Sequence, residues 1–112
     1  MLAPGKHYVN APISIPVNFK DTSGNDVDPT TVTLRVLNPW GSESTYVYGT
    51  DSEVTRSDAG DYVGAFTPDL EGRWHYRWQT TGTGTTGALE GNFLVQVSAF
   101  YEEWPSSSDY PL

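Results

Sequence analysis

Apolar and polar residues alternate along several short stretches of the chain, and turn-forming residues separate these stretches. In PISIPVNFK, residues 12–20, every second residue is apolar. A period of two places the apolar side chains on one face of a β-strand, whereas no stretch keeps the spacing of three and four residues that an amphipathic helix needs. The pattern therefore predicts an all-β protein.

The stretches with a strand pattern are residues 12–20, 30–37, 44–49, 52–56, 61–68, 73–80 and 88–97. Their predicted inward positions include Ile13, Ile15, Val17, Phe19, Val32, Leu34, Val36, Tyr62, Gly64, Phe66, Trp74, Tyr76, Trp78, Phe93, Val95 and Val97. Pro16 cannot donate a hydrogen bond to a neighbouring strand, which predicts that the first stretch lies at a sheet edge. Short strands at this spacing are typical of a two-sheet antiparallel sandwich or a small barrel, and we expect the sandwich.

The two ends of the chain lack a sustained alternation. We therefore divide the chain into an N-terminal arm (1–11), a β-sandwich (12–97) and a C-terminal tail (98–112). The tail is rich in aromatic residues, which is unusual for a solvated end. It is expected to dock, either by folding back over its own domain or by inserting into a neighbouring subunit, and both alternatives stay open.

The composition limits the kind of protein and its partners. A length of 112 residues suits one domain, and a formal net charge of -8 would repel a phosphate backbone, so nucleic acid is a poor candidate partner. The chain has no cysteine, which leaves no disulfide, thiol nucleophile or thiolate metal site. It shows neither a secretion signal nor a stretch that could span a bilayer, which predicts a cytoplasmic location if Met1 is the natural start.

A series of motifs in the second half of the chain carries a resemblance to known proteins. The pattern D-x-G-x-Y, F-x-P, G-x-W-x-Y-x-W and G-x-F-x-V-x-V begins at Asp58 and ends at Val97. It resembles the C-terminal half of filamin-like and bacterial immunoglobulin-like domains. The longer stretch from DPTTVT to SAF, residues 28–100, is similar in the order and spacing of its motifs to small immunoglobulin-like virion proteins of tailed bacteriophages.

The resemblance implies a single immunoglobulin-like sandwich of about seven strands with extended arms at both ends. It also implies a structural role in the virion, either decorating the capsid or sitting at the head-to-tail neck. Such a protein would be present in many copies, would bind other virion proteins rather than a membrane or a cofactor, and would be assembled in the host cytoplasm.

Large aromatic residues recur at every second position in RWHYRW, as Trp74, Tyr76 and Trp78. Exposed in a row, and joined by Trp40, Tyr46 and Tyr48, they would make a platform that stacks on sugar rings. This would suit the alternative function, a carbohydrate-binding or adhesive immunoglobulin-like module of a bacterial surface or secreted protein. We favour burial, because arginines occupy the opposite face of the strand and large aromatics dominate the energetics of protein cores.

Five residues are expected to bind a partner. Trp40 stands in the turn NPWG, where an indole is difficult to bury, and is expected to anchor a contact between subunits. The other expected anchors lie in the tail: Phe100, Tyr101, Trp104 and Tyr110.

The candidate chemistry is weak, and we expect no enzyme. The two histidines, His7 and His75, have no nucleophile marked beside them, so no catalytic triad can be assigned. The stretch DTSGNDVD is rich in oxygen ligands, but Asp26 stands where a calcium loop of the EF-hand type needs glycine and Val32 where it needs glutamate. A hairpin turn closed by its own side chains is the better account, and a weak surface cation stays open.

Overall fold

The computed structural model describes residues 7–82 and 87–97. These residues form the strands β1 (His7–Tyr8), β2 (Ile13–Asn18), β3 (Thr31–Leu37), β4 (Glu43–Val47), β5 (Val54–Asp58), β6 (Asp61–Phe66), β7 (Gly72–Thr81) and β8 (Gly87–Gln96). No helix occurs in these two ranges. The all-β prediction is confirmed.

The strands form two sheets packed as a sandwich. One sheet has the order β1-β8-β7-β3-β4 and the other has the order β2-β6-β5. Neighbouring strands are antiparallel except for β1, which runs parallel to β8. In the immunoglobulin fold the second, fifth and fourth strands form one sheet and the third, sixth and seventh form the other. With β4 as the additional strand that variable-type domains insert after the third strand, and with β1 as a first strand that lies beside the last strand, the order here is compatible with that plan, so the sandwich is immunoglobulin-like.

The core lies between the sheets and contains most of the predicted inward residues, whereas Phe66 and Tyr76 are half-buried against it and Val97 is half-buried outside it. Its buried apolar members are Ile13, Ile15, Val17, Phe19, Val32, Leu34, Val36, Val54, Tyr62, Trp74, Trp78, Phe93 and Val95. Trp78 is 1% exposed and Trp74 is 6% exposed, whereas Tyr76 between them is half-buried. The Trp74 indole N–H donates to the Leu70 carbonyl at 2.9 Å. No acceptor for the Trp78 indole N–H is found among the described residues.

The end of β4 and the start of β5 differ from the sequence prediction, as do other strand ends by one or two residues. The third predicted strand was expected to reach residue 49, but β4 ends at Val47 because Asp51 closes a turn there. The Asp51 carboxylate accepts the Val47 N–H at 2.8 Å, and the Asp51 N–H donates to the Val47 carbonyl at 2.8 Å. The chain then passes through Gly49 with φ +89°, and β5 begins at Val54.

The edges of the sandwich include one predicted feature and one new feature. β2, which contains Pro16, lies at the edge of its sheet as predicted. β1 lies within the predicted N-terminal arm and pairs with the end of β8 through His7 and Tyr8. A strand of two residues carries no alternation from which it could have been recognised.

Asp28 joins the loop after β2 to the turn between β5 and β6. Its carboxylate accepts both ends of the Arg56 guanidinium at 3.0 Å, the Gly60 N–H at 2.9 Å and the Tyr62 hydroxyl at 3.1 Å. Gly60 has φ +76°, and a Cβ there would lie 2.6 Å from the Phe19 carbonyl oxygen. The motif D-x-G-x-Y therefore serves to fix this end of the sandwich.

Candidate interaction surface

The turn between β3 and β4 presents Trp40 to solvent. The side chain of Trp40 is 80% exposed, the largest exposure among the large apolar residues of the described chain. The Asn38 side-chain oxygen accepts the N–H groups of Trp40 at 2.9 Å and Ser42 at 3.0 Å. Gly41 follows with φ +86°, a conformation that favours glycine. The prediction that Trp40 is exposed in a turn is confirmed.

The base of this turn contacts the start of β7. Gly72 has φ +129°, and a Cβ on Gly72 would lie 2.8 Å from the Pro39 ring. Pro39 and Asn38 are half-buried, whereas Trp40 beside them is exposed. The turn is thus held from both sides, by Asn38 within it and by Gly72 beneath it. The backbone that carries Trp40 therefore needs little further ordering when a partner covers the indole.

The outward face of the larger sheet carries a row of charged side chains. Arg35 donates from Nε and Nη2 to the Glu43 carboxylate at 2.6 and 3.0 Å, and from Nη1 to the Gln79 side-chain oxygen at 2.7 Å. Arg77 pairs with Glu90 on the neighbouring strand. Hydrogen bonding by Arg35 lowers the pKa of Glu43 below its ordinary value. These pairs are exposed, so each contributes little to stability.

An open groove of about 430 Å³ runs across this charged face. Its lining includes Leu37, which is 38% exposed, and His75 beside it in the cross-strand register. The groove also includes Arg35, Arg77 and Glu90. The groove is therefore lined by charged side chains together with an exposed apolar one. The sequence analysis missed this groove, although the placement of the arginines at alternate positions was visible in it.

The aromatic residues do not form the platform required for stacking on sugar rings. Trp74 and Trp78 are buried, as predicted. Tyr46 is half-buried and stacks on Phe66 with ring centroids 6.4 Å apart. Trp40 and Tyr48 are exposed, but Tyr48 makes an edge contact with the core residue Tyr62. The row is therefore the inside of a sandwich.

The oxygen-rich loop after β2 is a closed turn. The Asp21 carboxylate accepts the N–H groups of Ser23 and Asn25, each at 2.9 Å, as the sequence analysis expected. Asp26 accepts from Lys20 at 2.7 Å and from Asn18 at 3.2 Å. Within residues 7–82 and 87–97, no cluster of three or more histidine or acidic side chains could hold a metal ion. The carboxylates here are occupied by their neighbours.

The structure separates the two histidines. His7 contacts the core through an edge contact with Phe93, with ring centroids 5.6 Å apart. His75 lies in the open groove on the outward face of β7. The four tail residues predicted to bind a partner, Phe100, Tyr101, Trp104 and Tyr110, lie outside the described residues, so of the predicted partner-binding residues the structure places Trp40.

No family model and no curated protein matches the chain. The part of the chain that the structure describes contains no helix that is long and apolar enough to cross a membrane.

Proposed function

We propose that this protein is a non-enzymatic structural protein of a tailed-phage virion, bound in multiple copies to the capsid or to the head-to-tail neck. The sequence motifs from residue 28 to residue 100 support the virion assignment by resemblance. The observation that carries the adhesive role is Trp40, an indole that is 80% exposed on a turn fixed by its own hydrogen bonds.

The geometry of the Trp40 turn suits a protein partner. Covering an exposed indole removes a large apolar area from water, and tryptophan is enriched among the residues that dominate binding energy at protein interfaces. The aromatic tail residues Phe100, Tyr101, Trp104 and Tyr110 supply further anchors in this proposal.

The charge of the chain fits the same role. The net charge of -8 keeps free copies apart before assembly and steers them towards a basic partner surface. The exposed ion pairs of the larger sheet add polar contacts around such an interface without dominating its energy. Other virion proteins, namely capsid, portal or neck subunits, are the proposed partners.

Incorporation into particles tests the proposal. Tailed-phage particles would be assembled in a host that produces wild-type protein, Trp40→Ala or the control Leu94→Ala, and purified particles would be probed for the protein. Leu94 is also an exposed apolar residue, 44% exposed, but it lies on β8, which β7 separates from β3 and its turn. We expect at least a tenfold loss for Trp40→Ala and near wild-type levels for the control.

Two failures are distinguishable in this experiment. If wild-type protein is absent from purified particles, the virion assignment is wrong. If wild-type protein and Trp40→Ala are incorporated equally, the virion assignment stands and the role of Trp40 is wrong.

A further inference from the structure

A small polar pocket opens between the two sheets, at the end of the sandwich that carries the Trp40 turn. Its volume is about 180 Å³. Residues of β3 and β4 line one side of the pocket, and residues 66–69 at the end of β6 line the other. Asn38 and Ser42, which close the Trp40 turn through a hydrogen bond, also belong to the lining. The pocket and the exposed indole therefore share one turn.

Hydroxyl groups stand on the core-facing side of β4, where apolar side chains would extend the core. Ser44 and Tyr46 are the cross-strand partners of the buried residues Val36 and Leu34, so they lie on that side of the sheet. Ser44 is nevertheless exposed, and Tyr46 is half-buried. The smaller sheet thus leaves this end of β4 partly uncovered, and polar groups line the opening.

The polar side chains of the lining do not satisfy one another. No hydrogen bond to another described residue is found for the side chains of Ser42, Ser44, Tyr46, Thr67 and Asp69. Elsewhere on the described surface, acidic side chains pair with a lysine or an arginine. The pocket therefore brings together hydrogen-bonding groups whose partners are still to be supplied.

The chemistry of the lining favours an ammonium group. Asp69 is the one charged residue among the described lining residues, so the pocket has a negative charge and no cation to neutralise it. Carboxylate and hydroxyl oxygens accept hydrogen bonds, and the lysine ammonium supplies three donors and no acceptor. The aromatic residues Tyr46 and Phe66 add apolar surface of the kind that the methylene stem of a lysine covers.

The size of the pocket favours a single side chain. Sites for small-molecule ligands usually enclose about 300–1,000 Å³. The pocket beside the Trp40 turn is smaller, at about 180 Å³. A protein that covers Trp40 would bring its own side chains to this pocket, because Asn38 and Ser42 belong both to the turn and to the lining.

We infer that the pocket receives a lysine side chain of the protein that covers Trp40. The lysine ammonium donates to Asp69 and to the hydroxyls beside it, and the lysine stem lies against Tyr46 and Phe66. The identity of that protein as a virion subunit rests on the proposed function, whereas the affinity of the pocket for an ammonium group does not.

An NMR titration of the full-length protein tests the pocket without any partner. n-Butylammonium chloride reproduces the end of a lysine side chain, n-butanol has the same stem without the charge, and glucose offers hydroxyls alone. The test variant is Asp69→Asn. The matched control is Glu71→Gln, which removes the same charge from an exposed residue outside the lining.

We expect n-butylammonium to shift the Ser44 and Thr67 amide signals saturably in wild type and in Glu71→Gln. Binding to Asp69→Asn should be weaker by about tenfold, because a hydrogen bond to a charged group is lost. Equal binding of n-butylammonium to wild type and Asp69→Asn would overturn the inference. So would equal shifts from n-butanol, or shifts from glucose alone.

Incorporation into phage particles tests the partner. Asp69→Asn should be incorporated at about a tenth of the wild-type level, and Glu71→Gln at the wild-type level. If wild type and Asp69→Asn are incorporated equally, the inference is wrong and the proposed function stands. If wild type is absent from particles, the proposed function is wrong, and the titration still decides whether the pocket binds an ammonium group.

Discussion

The ring of Tyr76 lies across Gly91 on the neighbouring strand. The two residues are cross-strand partners in the β7–β8 register, and a Cβ on Gly91 would lie 2.8 Å from Cε2 of the ring. The ring takes the place that a side chain at residue 91 would occupy, and it reaches the core at Phe93, with centroids 6.4 Å apart. An aromatic ring over a glycine is a recognised way to stabilise a strand that lacks a side chain.

Gly91→Val is therefore expected to destabilise the domain. The added side chain would displace the Tyr76 ring, at a cost of about 1–3 kcal/mol typical of overpacking. Chemical denaturation would measure the change in the free energy of unfolding. The control is Gln96→Ala on the same strand, where the side chain is exposed. A Gly91→Val variant as stable as wild type would show that the ring moves aside freely.

Asp28 is expected to make the stability of the domain depend on pH in the acidic range. Hydrogen bonding by Arg56, then by the Gly60 N–H and the Tyr62 hydroxyl, lowers the pKa of Asp28 from 3.8 to about 2. A carboxyl with a lowered pKa in the folded state contributes stability above its unfolded pKa and loses it as the pH falls through the folded value. The contribution of Asp28 should thus disappear between a pH of about 4 and a pH of about 2.

The comparison that isolates this contribution is wild type against Asp28→Asn. Urea unfolding midpoints should differ at neutral pH and converge as the pH falls through that window. The exposed residue Asp69 provides the control substitution, Asp69→Asn, because no hydrogen bond to another described residue is found for its carboxylate. A difference between wild type and Asp28→Asn that persists unchanged at the acidic end would refute the role of Asp28.

Replacing the core residue Trp78 and replacing the exposed turn residue Trp40 should have very different effects on the free energy of unfolding. Trp78 is 1% exposed and contacts Phe19 with ring centroids 6.4 Å apart, so Trp78→Ala should cost about 3–5 kcal/mol through the cavity that it leaves. Trp40→Ala should change stability by about 0.5 kcal/mol or less, because the side chain is exposed. Thermal unfolding of both variants would measure the contrast. Similar losses would mean that Trp40 packs against the domain.

The sequence was sufficient to predict which face of each strand is buried. It was insufficient to predict which residues of neighbouring strands contact each other. Alternation identified Trp74 and Trp78 as inward, and Pro16 marked an edge strand, because both features follow from the local geometry of a strand. The pairing of Tyr76 with Gly91 depends on register, which local composition does not determine.

The same limit applies to the ends of the sandwich. Asp28 meets Arg56 and Tyr62 across separations of 28 and 34 residues, and a short motif carries no information on such contacts.

In the candidate surface, the exposure of Trp40 followed from the Pro-Gly turn around it. The groove across Arg35 and His75 could not be predicted in this way, because its prediction requires knowing that β3 and β7 are neighbours in the sheet.

Trp104 is expected to act in assembly without supporting the fold. Under the proposed function, Trp104→Ala should reduce incorporation into phage particles because a tail anchor is removed, while the thermal unfolding midpoint of the purified protein stays at the wild-type value. Ser107→Ala is a matched control in the same tail. Unchanged incorporation of Trp104→Ala would remove Trp104 from the proposed anchors.

Asn38 is expected to position Trp40 for binding. Its side-chain oxygen accepts two N–H groups of the turn, so Asn38→Ala would leave those donors to water and let the turn sample other conformations. The indole itself is untouched, so a loss of incorporation into particles would show that its orientation matters. Because the turn is exposed, the cost in stability should be about 1 kcal/mol.

Asn38→Asp is the discriminating control for this prediction, since a carboxylate oxygen can accept the same two N–H groups. We expect Asn38→Asp to retain most of the incorporation that Asn38→Ala loses, with both variants folded by thermal unfolding. If both variants are incorporated as well as wild type while Trp40→Ala is not, the indole binds without being held by its turn. The inference that the fixed turn lowers the entropic cost of binding through Trp40 would then be wrong.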